Sequence, residues 1–217
     1  MDYSLLRRRK AECVLRVLAL SGGEASFSYL ARETGITKST LEYNIRLLER
    51  GGLVVRGGRG FVRLAVKTPI CYLFDAQCDY AYLGLLGERG ERGEAETETA
   101  LKLLEEEGVK PVKVVVVTTY KAASDWETVA PKAEWVLLSD KEITSVDSVE
   151  GRVRGKLEEL MRSYKVVVDC TAATKPATIA FYRMAVKLKV PLIYVYERQR
   201  KLIWIISSSD LKKELLQ

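Results

Sequence analysis

The chain has 217 residues, 47% hydrophobic and 29% charged, which is enough to bury one large core or two small ones and is not the composition of a disordered segment. It has no histidine, which removes His-based catalysis and most zinc sites, and its apolar runs fall short of the ~20 residues a membrane span needs. The net charge of +6 is uneven: residues 1–67 hold 13 Lys and Arg against 6 Asp and Glu, and the remainder holds 22 against 23.

A basic segment joined to a near-neutral one suggests that the first meets a polyanion, whereas a merely solvated basic surface is the bland alternative. The start MDYSLLRRRK lacks a secretory apolar region, so a soluble, cytoplasmic protein is expected. The four cysteines, Cys13, Cys71, Cys78 and Cys170, form neither a CxxC pair nor a regular disulfide framework, so all are expected reduced and no metal is expected.

In chain order, segment 4–20 places Leu5, Leu6, Val14, Leu15, Val17 and Leu18 on one helical face and stops at Gly22 and Gly23. A second helix is expected over 26–34, ended by Gly35. Thr37 then caps a third, in which Leu41, Ile45 and Leu48 recur at i, i+4 and i+7. That stripe leaves Lys38, Ser39, Glu42, Tyr43 and Arg46 on the opposite side. LVVRGGRGFVRLAV (53–66) reads as two strands around a glycine-rich turn carrying Arg56 and Arg59.

Three helices, a Gly-Ile-Thr turn and a basic hairpin resemble a winged helix-turn-helix over about residues 4–66. The third helix would then enter a major groove with Lys38, Ser39, Glu42, Tyr43 and Arg46 at base edges or phosphates. Arg56 and Arg59 at the wing tip would reach a minor groove or the backbone of double-stranded DNA. Winged helices also serve as protein–protein modules; the arginines at the tip favour DNA.

Residues 68–79 are expected to be a linker, with ICYLF as a short extra strand. From residue 80, strands at 81–87, 112–119, 134–139, 165–170, 191–197 and 201–207 alternate with helices at 94–108, 150–163 and 177–189. A short capped helix follows at the tail. Uninterrupted apolar strands such as VKVVVVTT are covered on both faces. The expected fold class is therefore α/β: a winged helix-turn-helix (1–67), then a Rossmann-like domain (80–217) with a mainly parallel sheet and a terminal β-hairpin. Trp126, Trp135 and Trp204 are expected in core or interface positions, Cys170 as a small buried hydrophobe, and Glu105–Glu107 as a solvated helix end.

Ligands bind such sheets at the carboxyl ends of the strands. After 165–168 the loop DCTAATKP supplies two threonine hydroxyls, an ammonium and a helix N-terminus, a set that suits a phosphate or another anion. Helix capping alone is the alternative. Other strand ends are polar too: Thr118 and Thr119 after VVVV, and Gly87, Glu88 and Arg89 after the first strand. There is no GxGxxG after that strand and no GxxxxGK[ST], so neither a dinucleotide cofactor nor a P-loop nucleotide is expected.

Three stretches, LGLLGERG…AETETALKLL, VVVVTT and VVVDCTAATKPATIAFYRMAVKLKVPLIYV, resemble the CARF family, the Rossmann-like sensor module associated with CRISPR systems. The resemblance implies a homodimer surrounding a ring-shaped oligoadenylate, cyclic tetra-adenylate above all. Thr171, Ala172, Ala173, Thr174 and Lys175 would contact it, and Gly87, Glu88, Arg89, Thr118 and Thr119 would form the second wall. Joined to a winged helix, the chain resembles the CRISPR-associated transcription regulators of archaea. Alanines stand at 172 and 173 where the family usually has glycines, and the DNA-binding module comes first here. The resemblance leaves open two further roles: slow cleavage of the ring, which would make the protein a ring nuclease, and a DNA-binding dimer whose sensor no longer binds.

Overall fold

The computed structural model describes residues 1–91, 93–126 and 133–216, except for the side chain of Arg59. The chain divides into two compact units. The first contains 1–78, 161–165 and 208–217, and the second 79–160 and 166–207. Residues 68–78 of the expected 68–79 linker and the tail helix thus group with the first unit, and Asp79 with the second.

The first unit opens with a short 3-10 helix, Tyr3–Arg7, followed by α1 (Arg9–Leu20), β1 (Glu24–Ser26), α2 (Phe27–Thr34) and α3 (Lys38–Arg50). The expected single helix over 4–20 is broken at Arg8, whose backbone is extended. Helices α2 and α3 follow the sequence periodicity, and Leu41, Ile45 and Leu48 are fully buried. The αL glycine Gly35 (φ 65°) makes the sharp turn between them, a conformation that costs most other residues about 1 kcal/mol or more. β2 (Val54–Arg56) and β3 (Phe61–Leu64) form the hairpin, and β1 adds a third antiparallel strand in the order β1-β3-β2. That third strand, only three residues long, carries no periodicity of its own.

The ICYLF segment is a helical turn, α4 (Ile70–Leu73), and not a strand. All four of its side chains are buried, which a strand with alternating faces would not achieve in this position. α4 packs with α10 (Ser208–Leu216), and Lys212 binds Asp75 at 2.7 Å. Cys71 and Cys78 are joined in a disulfide, contrary to the expectation of four reduced cysteines. The turn after α4 brings two residues seven apart side by side, a spacing that matches no cysteine motif.

The second unit holds β4 (Tyr80–Leu85), α5 (Glu96–Glu106), β5 (Pro111–Thr119), α6 (Tyr120–Trp126), β6 (Glu134–Leu138), α7 (Asp140–Ile143), α8 (Val146–Ser163), β7 (Lys165–Asp169), α9 (Lys175–Leu188), β8 (Leu192–Tyr196) and β9 (Lys201–Ile206). The last residues of α8 and the first of β7 belong to the first unit. The sheet order is β6-β5-β4-β7-β8-β9. β4, β5 and β6 run parallel, as do β7 and β8, and β9 is antiparallel. This is a Rossmann-like sheet with a terminal hairpin. Chain order reverses between β4 and β7, and ligands of such sheets collect beyond the strand ends at that reversal.

Helices cover both faces. On one face Tyr82, Ala100, Leu104, Val167, Ile193 and Val195 form one core cluster and Leu86, Ala95, Val116 and Trp126 another, while Leu83, Val115, Val117, Val166 and Val168 are buried on the other face. Trp126 is fully buried while Trp135 and Trp204 are half-buried, in keeping with packing roles. Glu105–Glu107 are exposed, and Cys170 is buried with its thiol pushed up to about 12 by desolvation. α6 and α7 were not expected: each is too short to show a helical repeat. Among the described residues no helix is long and apolar enough to cross a membrane.

Candidate functional site

In the first unit, α3 presents Lys38, Ser39, Tyr43 and Arg46 to solvent, with Tyr43 60% exposed. Glu42 is half-buried because two guanidinium groups close over it. Arg46 Nε donates to its Oε1 at 2.8 Å, and Arg56 donates through Nη2 at 2.9 Å and Nη1 at 3.3 Å. Arg56 Nε also reaches Glu49 at 3.1 Å. Hydrogen bonds from Arg56 and then Arg46 hold the Glu42 carboxyl below its ordinary range. Arg56 was expected to reach outward from the wing tip. Its guanidinium is instead folded onto α3, because β2 brings it opposite two carboxylates spaced i, i+7. The Arg59 side chain lies outside the described residues.

In the second unit, Asp169 ends β7 fully buried. Its Oδ2 accepts the Tyr82 hydroxyl at 2.6 Å, and its Oδ1 accepts the Thr171 N–H at 2.8 Å and the Thr171 hydroxyl. This is the local side-chain-to-backbone bond that aspartate makes at turns. Burial pushes the Asp169 carboxyl up to about 6, with the Thr171 and Tyr82 hydrogen bonds opposing the rise. Burial and the neighbouring carboxylate raise the Tyr82 phenol in turn. Gly84 is required beside this network, since a Cβ there would collide with the Tyr82 ring. Thr171 Oγ1 also accepts the Val195 N–H at 2.8 Å, so the loop is tied to β8.

Several expected ligand groups therefore have structural work. Both polar groups of the Thr171 side chain and backbone N–H are used. Thr174 caps α9, accepting from Ala177 N–H at 3.3 Å and donating to the Ile143 carbonyl. Thr118 is buried and donates to the Leu86 carbonyl at 2.7 Å, while Thr119 accepts from Ala122 N–H at 3.2 Å. Glu88 pairs with Lys121 at 2.9 Å. Arg89 stacks on Trp126 at 5.4 Å, and the Trp126 indole N–H donates to the Gly87 carbonyl at 2.9 Å.

What remains is the backbone. The N–H groups of Ala172, Ala173, Thr174 and Lys175 donate to no acceptor among the described residues. Ala173 sits in the left-handed region at φ 71°, a conformation that recurs in the backbone turns that bind anions. The Lys175 side chain, at the start of α9, is exposed and has no ion pair among the described residues.

Two cavities flank the loop. One, of about 410 Å³, is lined by Gly87, Glu88, Thr119, Asp140, Thr144, Ala173 and Thr174 with apolar neighbours and has no cation in its wall. The other, of about 320 Å³, is lined by Thr171, Ala172, Ala173, Glu96, Tyr194, Tyr196 and Arg198 among others. The structure thus brings Gly87, Glu88, Thr119, Ala173 and Thr174 into one wall, and Thr171 and Ala172 into the other. Arg89, Thr118 and Lys175 line neither.

Asp140, Thr144, Tyr82, Tyr196 and Arg198 were missed by sequence reasoning. Asp140 opens α7 and Thr144 caps its end, an element too short to predict. Tyr82 lies inside an apolar strand where its hydroxyl carries no signal. A polar residue ending an apolar run, as in VVVD, was the one available sign of Asp169.

Residues 14–56 match the family described as a helix-turn-helix domain. No curated protein matches the chain. Among solved structures, the chain is similar to Can2 from Sulfobacillus thermosulfidooxidans in complex with cyclic tetra-adenylate, at 13% identity and a TM-score of 0.41 over 58% of this chain and 34% of that one. It is similar to the Vibrio cholerae protein VC1899 at 9% identity and 0.43, over 59% and 34%. It is also similar to Enterococcus italicus Csm6 bound to cyclic hexa-2'-fluoro-hexa-dAMP at 13% and 0.44, over 64% and 38%. The chain spans little more than a third of the length of those structures.

Proposed function

We propose that this chain, with a helix-turn-helix domain at residues 14–56, is a ligand-responsive DNA-binding transcription regulator. In this reading the loop 171–175 takes the phosphates of a cyclic oligoadenylate, cyclic tetra-adenylate first, shared between two copies in a homodimer. The observation that carries the reading is the loop itself: the N–H groups of 172–175 have no acceptor among the described residues, and two of those residues, Ala173 and Thr174, line a cavity whose wall carries no cation. Amides and Lys175 suit the phosphate. Hydroxyls and the Glu88 and Asp140 carboxylates suit the exocyclic amine and ribose hydroxyls of a nucleoside, which are hydrogen-bond donors.

The loop needs no ligand to keep its shape, since Asp169, Tyr82 and Val195 already fix it. A site held ready in this way loses little conformational entropy on binding. Regulation follows by linkage: if the ligand favours the form that binds DNA, DNA favours the ligand-bound form by the same factor. The CARF resemblance of the strand-end loops agrees with the ligand class, and the basic α3 face agrees with DNA.

Calorimetry with cyclic tetra- and hexa-adenylate, followed by gel-shift assays with and without the tighter ligand, tests this. Heat of binding at about one ring per two chains, together with a ligand-dependent shift of DNA affinity, is expected. No heat with either ring removes the sensor role. Recovery of the intact ring after long incubation separates sensing from cleavage.

A further inference from the structure

We propose that Glu42 is the base-reading residue of α3, selecting a cytosine amino group in the major groove, and that Arg56 is a positioning residue that holds it. The inference rests on the DNA-binding reading of the first unit and assigns its specificity.

A lone carboxylate on a helix face that enters a phosphate-lined groove is repelled. Here the repulsion is offset within the face itself. Arg46 and Arg56 balance Glu42 and Glu49, so the four groups together carry no net charge. The same contacts fix the carboxylate's direction, from α3 on one side and from β2 on the other. Glu42 Oε1 accepts two guanidinium bonds at 2.8 and 2.9 Å, whereas among the described residues Oε2 accepts only the longer one at 3.3 Å. A carboxylate has about four acceptor positions, so Oε2 keeps capacity for a further donor. Its side chain is 32% exposed, so the oxygen is reachable. In the major groove cytosine N4 is the donor that carboxylates read.

This also accounts for Arg56. A guanidinium at the end of β2 engaged by two carboxylates at once is not available to reach a distant minor groove. Its bidentate fork on Glu42 and its Nε contact to Glu49 link the wing to the recognition helix. Arg56 therefore acts on the base through Glu42.

The test is selection of binding sites from a randomised duplex library, with sequencing, for the full chain and for Glu42→Ala, Glu42→Gln, Arg56→Gln and Arg56→Lys, each checked for an unchanged melting curve. The expected wild-type motif contains a cytosine whose preference falls at least about fivefold in Glu42→Ala and in Arg56→Gln. Glu42→Gln shifts that position toward adenine, which amides read. Affinity for non-specific duplex at fixed salt stays equal or rises in Glu42→Ala, since a negative charge is removed. A role for Glu42 in folding alone would not re-specify one base position. The same motif in all variants, with affinity changing uniformly across sequences, overturns the proposal. Absence of salt-dependent binding to any duplex overturns it as well, and is distinguishable because it removes the DNA-binding reading beneath it.

Discussion

Replacing Asp169 with asparagine removes the one fully buried carboxylate that anchors the strand-end loop, and the structure sets the size of the effect. Burial raises the Asp169 carboxyl from the ordinary 3.8 to about 6. The folded state therefore binds the proton more tightly than the unfolded one, so stability falls as pH rises from about 4 through 6 and levels off above 7. A difference of roughly two pKa units corresponds to about 3 kcal/mol, of which about 2 kcal/mol falls between pH 4.5 and 7.5. Asparagine carries no such dependence. Trp126, Trp135 and Trp204 all lie in the second unit, so tryptophan fluorescence during urea unfolding reports the unit that contains Asp169. Other groups titrate alike in both proteins and cancel in the difference. The stability of wild type relative to Asp169→Asn should thus fall by about 2 kcal/mol on going from pH 4.5 to 7.5. A pH-independent difference would refute the assignment of a buried, raised carboxyl to this position.

Lys175→Ala should weaken cyclic oligoadenylate binding about tenfold or more by calorimetry, the worth of a charge-assisted contact, while leaving apo melting unchanged because the Lys175 side chain has no bond among the described residues. Tyr82→Phe should cost about 1–2 kcal/mol in urea unfolding and push the Asp169 transition upward, since the carboxylate loses a donor; an unshifted transition contradicts the network. The Cys71–Cys78 bridge closes a loop with a sequence separation of seven. In the chain-entropy treatment such a loop is worth about 2.5 kcal/mol, so reductant should lower the wild-type melting temperature and leave a Cys71→Ser, Cys78→Ser protein unaffected. Lys38→Ala should make the dependence of log affinity for duplex on log salt shallower by about 0.9, one phosphate contact, and an unchanged slope removes Lys38 from the interface.

The elements that carry their own periodicity were legible in the chain: the Leu41, Ile45, Leu48 stripe, the valine run of β5, and the β8–β9 pair around Arg-Gln-Arg. So was the position of the candidate site, because a polar loop between an apolar strand and a helix marks a strand end of a parallel sheet. The division of labour within that site was not. Thr171 looked like a ligand group and proves to be a tie between Asp169 and Val195, residues two and twenty-four positions away. Thr174 reaches Ile143, at the end of an element of four residues that leaves no repeat to detect. Arg56 looked like a wing-tip contact and is turned onto Glu42, fourteen positions away. α4 was mistaken for a strand because four consecutive apolar residues fit either geometry, and only packing against α10 decides between them.

The sequence by itself determined the helices and strands long enough to show a repeat, and where the charge lies, since both follow from residues within one or two turns of each other. Tertiary structure alone decided which polar groups remain available to a ligand or a base. That depends on strand order: β4 lies beside β7, so the Tyr82 hydroxyl meets Asp169 from eighty-seven positions away and the side chains are consumed, while the backbone amides of 172–175 have no acceptor among the described residues.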